Sequence, residues 1–280
     1  QGMMAEKFGR ERLPDAVSES AGPADSGLPS PFQVSRYLDY QGQKFTQRFD
    51  ANSYLRIMHA MDNFDLAEKA GSLEGAFAGI EAKMLIVALS TDWLFPPEQS
   101  KEIANALLRA GKAVSYSMLS APHGHDAFLV DIDHLVEMMQ AFLPWVPERV
   151  EGETSEPEPG DQTVRGACAD EERQLLLSMI SPGARILDVG CGDGELLASL
   201  ASERDVKGVG VDYDTNQVIS VLDRGYDIFQ EDVDGGLAMI PDDSYDYAIL
   251  SETLQVVRRP RVVLKEMLRV AQEGIVSFPN

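Results

Sequence analysis

Apolar residues between Arg36 and Leu66 recur mostly three to five positions apart (Tyr37, Tyr40, Phe45, Phe49, Tyr54, Ile57, Met61, Phe64), a spacing that predicts two or three short helices. The pattern changes at Lys83. Lys-Met-Leu-Ile-Val-Ala-Leu-Ser is a short continuous apolar run, as expected of a parallel strand covered on both faces. Pro96-Pro97 suits the first turn of a helix whose buried face is Ile103, Ala104, Leu107 and Leu108, and Gly111 ends it. A second strand is expected over Val114 to Leu119. Beyond His125, Phe128, Ile132, Leu135, Val136, Met139, Phe142 and Leu143 return to helical spacing, which predicts a helix packed back on the sheet. Residues 11 to 35 are rich in Pro, Ser, Gly and Asp without an apolar period and read as a loop.

From Pro144 to Gly166 the chain carries six carboxylates and four prolines. Such a stretch buries too little apolar area to order itself, so it reads as a self-repelling linker. After it, apolar runs at 184 to 190, 206 to 212, 227 to 231, 245 to 251 and 274 to 278 alternate with helical patterns at 194 to 203, 215 to 224 and 260 to 270. That alternation implies a parallel sheet of the Rossmann type. The expected organisation is therefore α/β throughout: a first module over 1–146, an acidic linker over 147–165 and a second module over 166–280.

Composition narrows the chemistry. The 280 residues are 44% apolar and 25% charged, ordinary for a soluble globular protein, and their formal net charge is −22. That charge repels phosphate backbones and anionic bilayers, so neither a nucleic-acid surface nor a membrane is expected as partner. The two cysteines, Cys168 and Cys191, lie far apart with no Cys-x-x-Cys, which suits reduced thiols and a cytoplasmic setting. The start of the chain lacks the order of a signal peptide, and there is no apolar run of about 18 residues. His59, His123 and His134 have no partners at metal-ligand spacing, so no metal site is expected.

Asp92 follows the first of these strands and His125 the second. This is the order of the acid and base in an α/β-hydrolase triad, where the carboxylate fixes the imidazole tautomer and stabilises the imidazolium. Spacing alone leaves a local hydrogen-bonding role equally open. The wording goes further. Tyr-Gln-Gly-Gln-Lys-Phe, Arg-Phe-Asp-Ala-Asn-Ser-Tyr, Asp-Trp-Leu-Phe-Pro-Pro-Glu-Gln-Ser and Gly-His-Asp-Ala-Phe-Leu make residues 36 to 146 resemble the carboxyl-terminal half of homoserine O-acyltransferases of the MetX type. The resemblance implies that Asp92 and His125 are catalytic and that Asp126 binds the homoserine ammonium. It implies homoserine and acyl-CoA as small-molecule partners, a lid built from the aromatic segment after Arg36, and room for a homodimer through this module. The sequence contains no Gly-x-Ser-x-Gly, so the nucleophile elbow is missing from these residues and the acyl transfer is expected to fail in this chain.

In the second module, Gly190, Gly192 and Gly194 follow the strand Arg-Ile-Leu-Asp-Val and open a helix, the context in which backbone N–H groups approach a ligand closely. The next strand ends at Asp212, suited to a ribose diol, and the third ends near Asp232, suited to an adenine amino group. Asp193 and Glu195 leave the turn acidic, which favours a sulfonium and amino-acid ligand over a pyrophosphate. The constellation resembles class I S-adenosylmethionine-dependent methyltransferases. Asp-Val-Gly-Cys-Gly-Asp-Gly-Glu-Leu-Leu, Ile-Leu-Ser-Glu-Thr-Leu-Gln-Val-Val-Arg-Arg-Pro, Leu-Lys-Glu-Met-Leu-Arg-Val and Ile-Val-Ser-Phe-Pro-Asn make residues 166 to 280 similar to the MetW family of methionine biosynthesis. That similarity implies cofactor contacts at Asp188, Gly190, Gly192, Gly194, Asp212 and Asp232, and further strands after Ser-Phe-Pro-Asn. No base for methyl transfer is identifiable, and Cys191 reads as a small turn residue.

Together the two resemblances imply an acyltransferase module fused to an S-adenosylmethionine-binding module, with methionine synthesis as the setting. The alternative is a second module that catalyses nothing and regulates or scaffolds the first.

Overall fold

The computed structural model describes residues 11, 32–130, 132–143 and 166–277, the side chains of 166–172 excepted. The whole of the expected linker, 147–165, and the last three residues lie outside the described residues. Contacts divide the chain into two compact units, Gln1–Asp65 and Leu66–Asn280. In the first, helices Gln33–Arg48 and Ala51–Asp62 realise the aromatic periodicity. Asp50 separates them: its Oδ2 accepts from Ser53 N at 2.8 Å, an N-cap that starts the second helix. Phe45 stacks on Phe49 at 4.8 Å and meets Tyr54 edge-on at 5.9 Å, while no residue of either helix is buried.

The second unit is built on one parallel sheet of seven strands: β1 (Met84–Leu89), β2 (Val114–Leu119), β3 (Arg185–Val189), β4 (Lys207–Asp212), β5 (Asp227–Gln230), β6 (Tyr245–Leu250) and β7 (Ala271–Val276). Their order across the sheet is β1-β2-β5-β4-β3-β6-β7. Each short apolar run became a strand because helices cover both faces and leave it nowhere polar to point. Pro97 opens the helix Pro97–Arg109 that links β1 to β2, and Gly111 turns the chain out of it at φ +68°.

Two elements depart from the sequence pattern. The helix expected from Phe128 onward is split into Ala127–Val130 and Asp133–Phe142, since Asp-Ile-Asp at 131–133 interrupts the apolar face. β7 starts at Ala271, directly after the helix Pro260–Val270, and not at Gly274. Its second and third residues, Gln272 and Glu273, are polar and exposed, so the run carries no apolar signal there.

One sheet spans the boundary between the modules. Residues on both sides of 147–165 share one sheet, because β2 lies against β5 with Tyr116 opposite Phe229. Both rings are fully buried, in a cluster that takes Ala88, Leu107 and Val114 from before the acidic stretch and Leu187, Val211 and Leu237 from after it. On the other face, Leu119 and Met138 pack with Val218, Val221, Leu222 and Ile228. Side chains extend the seam. Ser115 Oγ donates to Asp227 Oδ1 and accepts from Ile228 N, both at 3.2 Å, and Lys83 Nζ lies 3.1 Å from Asp227 Oδ1. The acidic stretch separates two sequence patterns, whereas packing runs straight across it.

Truncating a fully buried phenylalanine costs about 3–5 kcal/mol, so Phe229→Ala should lower stability by that order in urea denaturation. If the seam holds as described, hydrogen exchange over 114–119 will accelerate together with that over 227–230. Unchanged protection of 114–119 would show two independent sheets.

Candidate functional site

Each parallel strand ends at the same edge of the sheet, and every site residue singled out from the sequence lies in the last residues of a strand or in the loop or helix start after one. At the end of β1 the chain turns through Thr91 and Asp92. Asp92 is only 7% exposed. Its Oδ1 accepts from Leu94 N at 2.9 Å and Phe95 N at 3.1 Å, and its Oδ2 lies 2.8 Å from His125 Nδ1. Burial pushes this carboxyl up, but the hydrogen bonds from His125, Phe95 and Leu94 outweigh it and hold it below the usual range. An ionised Asp92 keeps the proton of His125 on Nδ1 and leaves Nε2 as the basic nitrogen.

The loop carrying His125 is tied to the strand that carries Asp92. Thr91 Oγ1 donates to Ala121 O at 2.5 Å and accepts from Gly124 N at 2.9 Å, with Gly124 at φ +63°. Phe95 and Phe128 flank the imidazole, their ring centres 5.2 and 5.4 Å from it. A cavity of about 290 Å³ is bounded by Asp92, Phe95, Ser100, His125 and Phe128. Asp126 is exposed on the same short turn. Thr91, Phe95 and Phe128 were not singled out as site residues from the sequence, where Phe128 reads as part of a helix's apolar face, although Phe95 and Phe128 stand within the two motifs that carry the resemblance.

The glycine turn follows β3. Gly190, Gly192 and Gly194 all have positive φ, at 74°, 55° and 80°. A Cβ at Gly190 would lie 2.6 Å from Thr253 Cγ2, and one at Gly194 would lie 3.0 Å from Val221 Cγ2, so neither position admits a side chain as the structure stands. Cys191 is buried and its thiol is pushed up, chiefly by burial and then by Asp188 and Asp212, so it is no nucleophile.

Asp188 is 1% exposed and neither carboxylate oxygen has a hydrogen-bond partner. Burial first, then the nearby Asp212 carboxylate, raises its pKa to about 7. Asp212 is buried too, but its Oδ2 accepts from Gly192 N and its Oδ1 from Asp214 N, each at 3.0 Å. Asp188 lines a cavity of about 420 Å³ with Arg173, Gly190, Gly192, Ser199 and Glu252. Asp212 and Asp232 line a neighbouring one of about 300 Å³ with Gln217 and Val257, and Gly190, Gly192 and Thr253 border both.

The expected acidity of the turn is partly neutralised. Asp193 Oδ2 holds Arg224 Nη2 at 2.7 Å. Asp232, expected to be open to an adenine amino group, accepts from Asp234 N at 3.0 Å and from Arg258 Nη2 at 3.0 Å. Asp234 in turn holds Arg258 Nε at 3.0 Å and the backbone N–H groups of Arg258 and Arg259. The sequence did not single out Arg173, Glu252 or Arg258. Glu252 carries the one clear signal in the backbone, a non-glycine residue at φ +48° bordering the larger cavity. No group of three or more His, Cys, Asp or Glu residues able to hold a metal occurs among the described residues.

These observations define an α/β protein with a hydrogen-bonded Asp92–His125 pair at two strand ends and a Rossmann-like glycine turn at another. Comparison with known proteins agrees on both halves. Residues 170–280 match the family "Methionine biosynthesis protein MetW". The chain is 40% identical over 258 residues, 89% of its length, to the bifunctional methionine biosynthesis protein MetXA/MetW of Rhodopirellula baltica. It is 50% identical over 129 residues to the homoserine O-succinyltransferase of Bordetella pertussis, covering 46% of this chain and 30% of that protein. It is 49% identical over 112 residues to the homoserine O-acetyltransferase of Methanosarcina acetivorans, covering 40% of this chain and 21% of that protein. The chain is thus similar to a MetX–MetW fusion, and it spans about 40% of the length of the bifunctional relative.

Asp188 generates a pH prediction. The folded state keeps a proton up to about pH 7 that an unfolded aspartate loses near pH 4, so its contribution to stability falls as pH rises through that window and then levels off. Asp188→Asn should remove this term. The difference between the stability curves of the variant and the parent, measured by denaturation from pH 4 to 8, should grow in the variant's favour up to about pH 7. A flat difference would mean that Asp188 is ionised throughout.

Proposed function

We propose that this chain contributes the acid and base of a homoserine O-acyltransferase, joined to a MetW-type module that binds S-adenosylmethionine, and that it serves methionine biosynthesis. The observation that carries the first part is the 2.8 Å contact between His125 Nδ1 and an Asp92 oxygen whose carboxylate is braced by two backbone N–H groups. With Nδ1 so committed, Nε2 is the atom that removes a proton from a hydroxyl: first the nucleophile's, while acyl-CoA is consumed, then that of homoserine. Asp126, one residue on, is offered as the anchor for the substrate ammonium. The names of the relatives include both succinyl- and acetyltransferases, so the acyl donor is left as acyl-CoA.

For the second module the fit of the cofactor rests on its own residues. Asp188 is a buried carboxylate with two free acceptor oxygens on a cavity wall, suited to an ammonium. Asp212 retains a lone pair on each oxygen for a ribose diol, and the bare backbone at Gly190 and Gly192 allows close approach. Asp232 is offered for the adenine amino group and would have to share its carboxylate with Arg258. When bound, the cofactor would supply an electrophilic methyl group. A regulatory or scaffolding role for this module is the second reading, and the sheet shared across β2 and β5 favours it.

Two measurements test the proposal. S-adenosylhomocysteine should bind in calorimetry, and Asp212→Ala should weaken it roughly ten- to a hundredfold, the equivalent of a charge-assisted hydrogen bond of about 1.5–3 kcal/mol. Binding unaffected by the substitution would refute the assignment of Asp212. The 280-residue chain should consume no acyl-CoA with homoserine above background, because it contains no Gly-x-Ser-x-Gly to present a nucleophile. Turnover that disappears in His125→Ala would instead place a nucleophile elsewhere in these residues.

A further inference from the structure

Gln230, the last residue of β5, uses the whole hydrogen-bonding capacity of its amide to join the two modules. Its Oε1 accepts from Ser117 Oγ at 2.5 Å and from Met118 N at 3.0 Å, both on β2. Its Nε2 donates to Tyr213 O and Thr215 Oγ1, each at 3.0 Å, in the turn that follows Asp212. An amide has two acceptor sites and two donors, and here all four are spent, so its orientation is fixed from both sides. Sequence reading had no means of singling it out.

On each side the contacts continue to a candidate site. Toward the second module, Tyr213 lies between Asp212 and Asp214, and Asp212 Oδ1 accepts from Asp214 N. A ligand that draws on the Asp212 carboxylate therefore acts on the turn that Gln230 grips. Toward the first module, Met118 is followed by Leu119, whose carbonyl accepts from Ser90 N at 2.9 Å, and Ser90 Oγ accepts from Ala121 N at 3.2 Å. Thr91 then ties Ala121 to Gly124, next to His125. Each link joins the loops bearing Asp92 and His125 to the end of β2.

We propose that Gln230 is a positioning residue through which occupancy, by an adenosyl ligand, of the neighbouring cavities lined by Asp188 and by Asp212 alters the setting of His125. This rests on the cofactor reading above and adds to it a direction of control: the ligand of the second module adjusts the base of the first. Coupling of this kind is a free energy shared by two sites, so it has to be measured as one.

The test uses the full chain and S-adenosylhomocysteine as probe, with the His125 ring resonance, assigned through His125→Gln, followed by NMR during titration. Saturation should shift that resonance. Ser117→Ala, which removes one bond on the β2 side and lines none of the three cavities described, and Gln230→Met should each reduce the shift at least threefold while changing ligand affinity by less than threefold. A bound ligand that leaves His125 unmoved, or a shift retained in both variants, would overturn the coupling and leave the cofactor reading intact. Failure of the ligand to bind the parent chain would overturn both. If Gln230→Met does not fold, Ser117→Ala alone decides.

Discussion

The pairing of β2 with β5 is the constraint on which the rest of this molecule depends. An edge strand presents a row of unsatisfied backbone groups, and each module supplies such an edge: β2 at the end of the first strand pair, β5 at the end of the order β5-β4-β3-β6-β7. Because both strands run parallel, joining them keeps every strand end on one side. The Asp92–His125 pair and the glycine turn consequently open on the same edge of one sheet, where parallel sheets place their ligands. Between β2, which leads to His125, and β4, which leads to Asp212, stands only β5, a separation of about 10 Å at the usual strand spacing. Contact between the two sites through Gln230 is thus a consequence of strand order, without need of a long relay.

The seam is selective as well as apolar. Tyr116 and Phe229 supply buried area, but that would tolerate a slipped register. Ser115 with Asp227 and Ser117 with Gln230 each match a particular residue on β2 to one on β5, and Lys83, just before β1, adds a third contact to Asp227. A shift by one residue would turn every side chain to the opposite face and break all three. Polar pairs along a buried seam add little net stability and much specificity, and these sit where two separately patterned modules have to find one alignment.

How much of this was legible in the sequence follows from where the signal resides. Strands such as Val114–Leu119 and Arg185–Val189 were legible because continuous apolar runs leave a two-sided burial as the simplest outcome. Asp92, His125, Asp188 and Asp212 were legible because chemistry at a strand end needs a particular residue type at a particular place. The seam was not. Its residues, Ser115, Ser117, Asp227 and Gln230, are ordinary polar residues, and their meaning exists only once strands more than 100 residues apart are side by side. Arg258 was invisible for the same reason: nothing local to it announces that Asp232 and Asp234 will face it, yet it decides how much of the Asp232 carboxylate is left for a ligand.

The two buried carboxylates behind the glycine turn illustrate how the same chemistry is put to different ends. Asp212 is buried with its charge supported by two backbone N–H groups, whereas Asp188 is buried deeper with none. The first already has donors within the fold; the second carries an unmet demand that a cation would satisfy. Their proximity strengthens the contrast, since burial and then the Asp212 carboxylate raise the cost of ionising Asp188, which has no donors to offset it. A carboxylate left in that condition weakens the fold by itself, and proteins retain such groups where a ligand returns the cost. In this chain the cost falls on β3, the middle of the second module's five strands, so whatever relieves it acts on the strand around which the other strands of that module are arranged.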